Sequence, residues 1–221
     1  MRIYIIMTFL ASWTSLTIAQ STIGLYIGTS KSDLHTESIW YQHQMSETFH
    51  LGIQLTYGQA QYRFIQAKSV TEGSVITAGM PMGWRLISKE TYRLDVNLRP
   101  SLRWFNAGAE YDPSSSLALE LDPSISAGLR LNEHLLFHTG VMLRTVFELS
   151  PGPVLSEQLP SSILLNALSF QKHSSLISLR TYYGPMSGAG GDTEKFFWQV
   201  SIGIQRQLGA SDDSAIPFFT F

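Results

Sequence analysis

The sequence predicts an all-β fold in which ten antiparallel strands close into an up-and-down barrel. The main observation is the strict alternation of apolar and polar residues along 92–104, and residues 117–131 alternate in the same way. A period of two places one set of side chains on each face of a strand. Both segments exceed the roughly 5–6 residues of a typical strand in a soluble domain. They are long enough to cross a bilayer, which takes about 9–11 tilted residues.

Further segments with this pattern precede and follow these two. In chain order, strands are expected over 21–29, 48–58, 60–67, 75–87, 92–104, 117–131, 135–149, 162–171, 175–184 and 196–208. Segments 60–67 and 162–171 alternate weakly, so eight strands are the alternative to the preferred count of ten.

The predicted connections alternate between long and short. Five long ones, rich in Ser, Gly, Pro, Asp or Glu, lie at 30–47, 68–74, 105–116, 150–161 and 185–195. Four short ones lie near 58–59, 88–91, 132–134 and 172–174. Long loops at one end and short turns at the other are typical of barrels that span the outer membrane, with the short turns in the periplasm.

The charged residues favour a barrel whose polar face points inward. All five lysines fall in predicted connections, whereas the arginines after Arg2 fall in predicted strands, and among those only Arg206 shares the parity of the apolar face. Arginine suits a crowded, ion-paired interior because its guanidinium is weakly hydrated and binds carboxylates in a fork. The alternative, a soluble sandwich or lipocalin-like barrel, would instead keep its ionic face in water.

Aromatic residues of the apolar face fall near the predicted strand ends, as expected for interfacial girdles. The group expected at the external end is Phe49, Trp104, Phe147, Tyr183, Phe196 and Trp198, and the group expected at the periplasmic end is Tyr57, Tyr62, Trp84, Tyr92 and Phe137.

Composition and the chain termini indicate an exported protein. The formal charge of −2 gives no reason to expect nucleic acid as a partner, and charged residues make up only 14% of the chain. Residues 1–19 read as a signal peptide that ends in Thr17-Ile18-Ala19, with a membrane-anchoring helix as the alternative. The barrel is then expected over 20–208, and residues 209–221 form a C-terminal tail.

In these features the chain resembles the small bacterial outer-membrane β-barrels, the porin-like and surface barrels of eight to ten strands. The resemblance covers about residues 20–208 and depends on the signal, the strand pattern and the aromatic belts. Phe221 is similar to the terminal aromatic residue by which the barrel-assembly machinery recognises such proteins, although Gly209–Ala215 separates it from the last predicted strand. The resemblance implies an integral outer-membrane protein, in contact with membrane lipids and monomeric.

The predicted inward face is rich in arginine. It carries eight arginines and four acidic residues, so the lumen has an excess of positive charge. The candidate lumen lining is Arg93, Asp95, Arg99, Arg103, Glu120, Asp122, Arg130, Arg144, Glu148 and Arg180, with Arg63 and Arg85 on the same face. Buried charges must pair or be hydrated. The interior is therefore either an ion-paired plug in a structural or surface protein, or a narrow channel that prefers anions.

Other functions have weaker support in the sequence. Trp40 and Tyr41, in the first and longest predicted external loop, are the candidate contacts for a surface partner of unknown identity. His173, Ser174 and Ser175 are vaguely similar to the His-x-Ser arrangement of lipid A deacylases. In that arrangement an asparagine follows the serine, whereas this chain has Leu176 there. A lipid hydrolase is thus the least favoured alternative, and we expect no catalytic residues, no metal site and no cofactor.

Overall fold

A computed structural model describes residues 21–30, 35–63, 70–106, 115–150, 162–185 and 196–208, which form twelve hydrogen-bonded strand segments. The segments are β1 Ser21–Ser30, β2 His35–Gln44, β3 Phe49–Arg63, β4 Val70–Gly79, β5 Met82–Ser88, β6 Tyr92–Asn106, β7 Ser115–Arg130, β8 Leu135–Leu143, β9 Thr145–Glu148, β10 Ser162–Lys172, β11 Ser175–Pro185 and β12 Phe196–Leu208.

These segments form ten barrel strands, because two strands are each interrupted once. β4 and β5 both lie between β3 and β6, with the break at Met80-Pro81. β8 and β9 both pair with β7, with the break at Arg144. Every pairing is antiparallel, and β1 pairs with β12, so the sheet closes on itself. The prediction of a closed, ten-stranded, up-and-down barrel is confirmed.

The strand at Pro81 shows how the sheet tolerates its interruption. Proline has no backbone N–H to donate to a neighbouring strand, so it suits a break or an irregular position. The carbonyl of Pro81 still accepts a hydrogen bond from the Gly52 N–H at 2.7 Å, and the Met80 N–H donates to the Pro100 carbonyl at 2.9 Å. The neighbouring strands β3 and β6 are therefore connected through the break.

The first predicted long loop (30–47) and the first predicted short turn (58–59) were wrong. Residues 35–44 were assigned to the loop 30–47, but they form β2, which pairs with β1 on one side and β3 on the other. The predicted turn at 58–59 lies inside β3, and 60–67 is not a separate strand. The turn between β2 and β3 is instead at 45–48, where the Met45 N–H donates to the Phe49 carbonyl at 2.9 Å. The two errors compensate, so the count and the direction of later strands are unaffected.

The barrel has two distinct ends. Short connections at 45–48, 89–91, 131–134 and 173–174 define what we call the turn end. Connections at 31–34, 64–69, 107–114, 149–161 and 186–195 join the strands at the opposite end, the loop end. Both β1 and β12 have their outermost described residues, Ser21 and Leu208, at the turn end.

The two faces of the sheet have inverted polarity. Large apolar side chains cover the outer wall, where Ile53 and Ile202 are 59% and 60% exposed. Charged side chains lie in the lumen, where Arg93 and Asp95 are 2% and 1% exposed. A soluble domain buries its apolar face instead. The polarity predicted from the alternation is thus the polarity that the structure has.

The aromatic residues of the outer wall lie toward both ends, but the first strands differ from the prediction because β2 was missed. Phe49 lies at the turn end, with its ring centroid 5.2 Å from that of Trp84. Tyr57 lies in the loop half, in one cross-strand row with Ile76 and Trp104. The predicted ends of Phe49 and Tyr57 were therefore exchanged.

The proposed signal peptide (1–19), the tail (209–221) and its Phe221 lie outside the described residues. Among the residues that are described, no helix is long and apolar enough to span a membrane.

Candidate functional site

The lumen contains most of the candidate residues, because each occupies the inward parity of its strand. Arg93, Asp95, Arg99 and Arg103 lie on β6, Glu120, Asp122 and Arg130 on β7, Arg144 between β8 and β9, and Arg180 on β11. Glu148 ends β9, and the position of its side chain is outside the described part of the structure, as is that of Arg63. The lumen therefore brings together residues that are far apart in the sequence.

A first ion-pair cluster lies in the turn half of the lumen. The Asp95 carboxylate lies 2.8 Å from Nε of Arg93, two residues before it on the same strand. Nε of Arg85, the cross-strand neighbour of Asp95 on β5, lies 3.7 Å from the other carboxylate oxygen. All three side chains are almost fully buried. One carboxylate therefore holds two guanidinium groups in the lumen.

A second cluster lies toward the loop end and follows the same arrangement. Asp122 accepts hydrogen bonds from Arg99 at 2.5 Å and from Arg144 at 3.2 Å. Arg99 is its direct cross-strand neighbour, whereas Arg144 reaches it from the break between β8 and β9. Next to this cluster, Arg103 pairs with Glu120 at 2.9 Å. Each of the three described lumen carboxylates is thus bound to at least one arginine.

Arg180 stacks against an aromatic side chain in the lumen. Its Cζ lies 3.5 Å from the centroid of the Tyr26 ring, and its guanidinium donates a hydrogen bond to the Tyr26 hydroxyl. That hydroxyl donates in turn to Oε1 of Gln205 at 3.0 Å. A cation over a desolvated aromatic face gains on the order of 2 kcal/mol. Gly203 makes room for the ring, since a Cβ there would collide with Tyr26.

Trp40 is part of this aromatic cluster, which corrects its assignment to an external loop. It lies on β2, is 3% exposed and stacks on Tyr26 with a centroid distance of 6.2 Å and an interplanar angle of 9°. Tyr41, the next residue, faces the outer wall near the turn end. Neither residue is on an external loop. The sequence prediction also missed Tyr26. Tyr26 alternates with the outward-facing Leu25 and Ile27, and this alternation could have indicated that its side chain points inward.

One side of the lumen is apolar. Leu136, Met142, Ile163, Leu165, Ala167 and Leu176, from β8, β10 and β11, form a buried cluster against which Tyr182 packs. β10 therefore has apolar residues on both faces, which explains why its sequence alternates weakly. The ionic clusters and this apolar cluster fill different sides of the same lumen.

Outside the lumen, a serine–histidine contact lies on the outer wall at the turn end. Ser21 Oγ is 2.9 Å from Nδ1 of His43 and 3.0 Å from the hydroxyl of Tyr41. The motif singled out in the sequence is elsewhere: His173 and Ser174 form the turn between β10 and β11, with His173 in the left-handed conformation (φ 51°). Over the described ranges, no group of three or more His, Asp or Glu side chains could hold a metal ion.

The closed sheet and its inverted polarity define the class of protein as an outer-membrane-type β-barrel. No family model matches the chain, and a comparison with curated protein sequences gives no match. Among solved structures, the chain is similar to an outer membrane channel from Pseudomonas putida F1, with 8% identity, 88% of this chain and 97% of that chain covered, and a TM-score of 0.50.

Two further barrels align with most of the chain. The NanC porin is 8% identical to this chain, and the alignment covers 84% of this chain and 100% of the porin chain, with a TM-score of 0.49. The translocator domain of the autotransporter NalP from Neisseria meningitidis has 7% identity, covers 91% of this chain and 93% of its own, and gives a TM-score of 0.48. At 8% identity, the similarity to the Pseudomonas putida channel shows the fold alone.

Proposed function

We propose that the chain is an integral outer-membrane β-barrel with a closed, ion-paired lumen, and that it serves a structural or surface-interaction role. The observation that carries this proposal is the inverted polarity. A wall of exposed Ile, Leu and Val surrounds buried arginine–carboxylate clusters, which is stable where the outer wall meets hydrocarbon. In water, the same wall would be a very large exposed apolar patch, which soluble monomers avoid.

The aromatic residues of the outer wall support the same location. Trp84 and Tyr92 are exposed at the turn end, and Trp104 and Trp198 are exposed in the loop half. Amphipathic rings at these positions suit the two interfaces of a bilayer. By the topology of such barrels, the turn end faces the periplasm and the loop end faces the outside.

The packing of the lumen supports a plug rather than a pore. The carboxylates of Asp95 and Asp122 are almost fully buried and each bridges two arginines from different positions of the wall. The opposite side is filled by the apolar cluster around Leu165. Small barrels are commonly filled by their own side chains. Such a lumen stiffens the barrel and leaves the connections at the loop end to meet partners.

A channel that prefers anions is the second candidate, and the charge excess favours it. Among the described inward-facing side chains there are seven arginines and three carboxylates, which is an excess of four positive charges. A lumen of net positive charge attracts anions and repels cations.

A lipid hydrolase is the third candidate, and it has one contact in its favour. The distance from Ser21 to His43 is suitable for a nucleophile and its base, but a dyad also needs a group that orients the base. Within the described residues, no carboxylate contacts His43. We therefore expect the wild-type chain to show only background hydrolysis of phospholipids, and Ser21→Ala to leave this level unchanged. The measurement is the release of labelled fatty acid from vesicles that contain the refolded protein.

Single-channel conductance of the refolded mature chain in a planar bilayer tests the proposal against the channel. Heat-modifiable, β-rich protein that inserts but passes no current is the result that we expect. Steady anion-selective steps that change in Arg99→Ala, but not in Arg206→Ala on the outer wall, would establish the channel instead. A chain that never enters a membrane would overturn both.

A further inference from the structure

A row of polar side chains crosses the outer wall of the barrel. Thr139 on β8, Asn166 on β10 and Thr181 on β11 are direct cross-strand neighbours. Their parity is that of the exposed apolar residues, and all three are half-buried. The row continues on β7 with Ala127, another small residue. We call Thr139, Asn166 and Thr181 the polar row.

Large apolar residues flank the polar row on both sides. Toward the loop end the next outward row is Val141, Leu164 and Tyr183, and toward the turn end it is Phe137, Leu168 and Leu179. Asn166 is six residues from Lys172, the last residue of β10. At about 3.3 Å per residue and a tilt of roughly 40°, this places it about 15 Å from the turn end. The polar row therefore lies near the middle of an apolar band about 25 Å tall.

Hydrogen bonds within the barrel satisfy only part of the polar row. The Thr139 hydroxyl donates to Oδ1 of Asn166 at 2.9 Å. The carboxamide nitrogen of Asn166 has two N–H donors, and neither has an acceptor among the described residues. In hydrocarbon no water can accept from them, so such donors are costly unless a partner supplies oxygen. The N–H donors of Asn166 therefore need an acceptor that lipid acyl chains do not provide.

We infer that the polar row is the contact by which two copies of this chain associate side by side in the membrane. Copies in one membrane share their orientation, so a two-fold axis between them runs along the membrane normal. A residue at that axis meets its own copy at the same depth, in an isologous contact. An asparagine amide is both donor and acceptor and can therefore pair with itself. The small side chains of Thr139, Thr181 and Ala127 allow the two walls to approach closely.

This inference rests on the membrane insertion proposed above, and it replaces the expectation of a monomer. A lipid with a polar group at this depth, or a different membrane protein, could also satisfy the amide. Neither has the self-complementary geometry that a symmetric pair provides. These two occupants are outcomes that the experiment distinguishes.

Cross-linking of single-cysteine variants tests the contact, because the chain has no cysteine of its own. Leu164→Cys lies beside the polar row on β10 and leaves the row intact. Leu55→Cys is the control on the opposite wall of the barrel. Leu55 is as exposed as Leu164, at 44%, and lies six residues from the turn-end residue Phe49 of β3, as Asn166 lies from Lys172. With a short bis-maleimide in native membranes, Leu164→Cys should give the dimer, and Leu55→Cys should remain monomeric.

A second measurement isolates the amide. Asn166→Leu removes it from a lipid-facing position, so the barrel itself should fold and stay heat-modifiable. Sedimentation in mild detergent should then show a dimer dissociation constant raised by about tenfold or more.

Several results would overturn the inference. The inference fails if the two cysteine variants cross-link equally, or if Asn166→Leu forms the dimer as strongly as the wild-type chain. It also fails if the inserted wild-type barrel sediments as a monomer at all concentrations. Native mass spectra that show a retained lipid or a different protein, and no dimer, would overturn it as well. Failure of the wild-type chain to insert would overturn the proposed function and this inference with it. The heat-modifiable gel shift therefore separates the two failures.

Discussion

Removal of the Asp122 carboxylate should be the most damaging single change in the lumen. Asp122 is 1% exposed and holds both Arg99 and Arg144. In Asp122→Ala, two guanidinium groups stay in the lumen without their anion, and breaking one buried pair typically costs 3–5 kcal/mol. Because the Arg99 and Arg144 side chains are 18% and 16% exposed, water hydrates them partly. We therefore expect a loss near the lower limit, about 3 kcal/mol.

The assay is reversible unfolding in urea from lipid vesicles, followed by tryptophan fluorescence. Glu133→Ala is the matched control, because Glu133 lies exposed in the 131–134 turn and only its backbone carbonyl accepts from Arg130. Its unfolding free energy should change by less than about 0.5 kcal/mol. Replacing Asp122, Arg99 and Arg144 together with apolar residues should recover much of the loss. Equal effects of Asp122→Ala and Glu133→Ala would refute the reasoning.

Two further variants test the outer wall and the aromatic cluster in the same urea assay. Ile202→Arg, in the middle of β12, should lower the free energy of unfolding in vesicles by about 2–4 kcal/mol. Leu208→Arg, at the turn end of that strand, should lower it by about 0–1 kcal/mol. Similar losses at both depths would contradict a lipid-facing wall. Gly203→Ala should cost about 1–3 kcal/mol, since its Cβ collides with the Tyr26 ring. Gly79→Ala, whose Cβ would meet Ser101 Cβ at 3.2 Å, should cost less, and the opposite order would disprove this packing.

The sequence was most informative where one face is apolar and the other is ionic. Along β6 and β7 the period of two assigns every side chain to a face, so Arg99 and Asp122 could be placed in the lumen. Their pairing could not be predicted, because it depends on register. A shift of one residue would send every side chain to the other face, and only the closed sheet fixes which residues lie opposite each other.

β2 shows where the sequence was insufficient. His35–Gln44 has polar residues on both faces and places Trp40 in the lumen, so its pattern resembles a loop. Gly58 and Gln59 resemble a turn but continue β3, because β2 and β4 provide partners on both sides. In both places the backbone hydrogen bonds of neighbouring strands determine the structure, and such bonds leave no trace in local periodicity.

The amino-acid sequence by itself therefore determined the all-β class, the inverted polarity and the inward arginines, since each follows from periodicity and residue type along single segments. The preferred count of ten strands agreed with the structure only because the missed β2 was offset by the extra strand predicted at 60–67. The tertiary structure alone decided the ion-pair partners, the stacking of Arg180, Tyr26 and Trp40, and the polar row of Thr139, Asn166 and Thr181. Each of these arrangements joins residues of different strands, and their juxtaposition exists only once antiparallel pairing has fixed the register around the closed barrel.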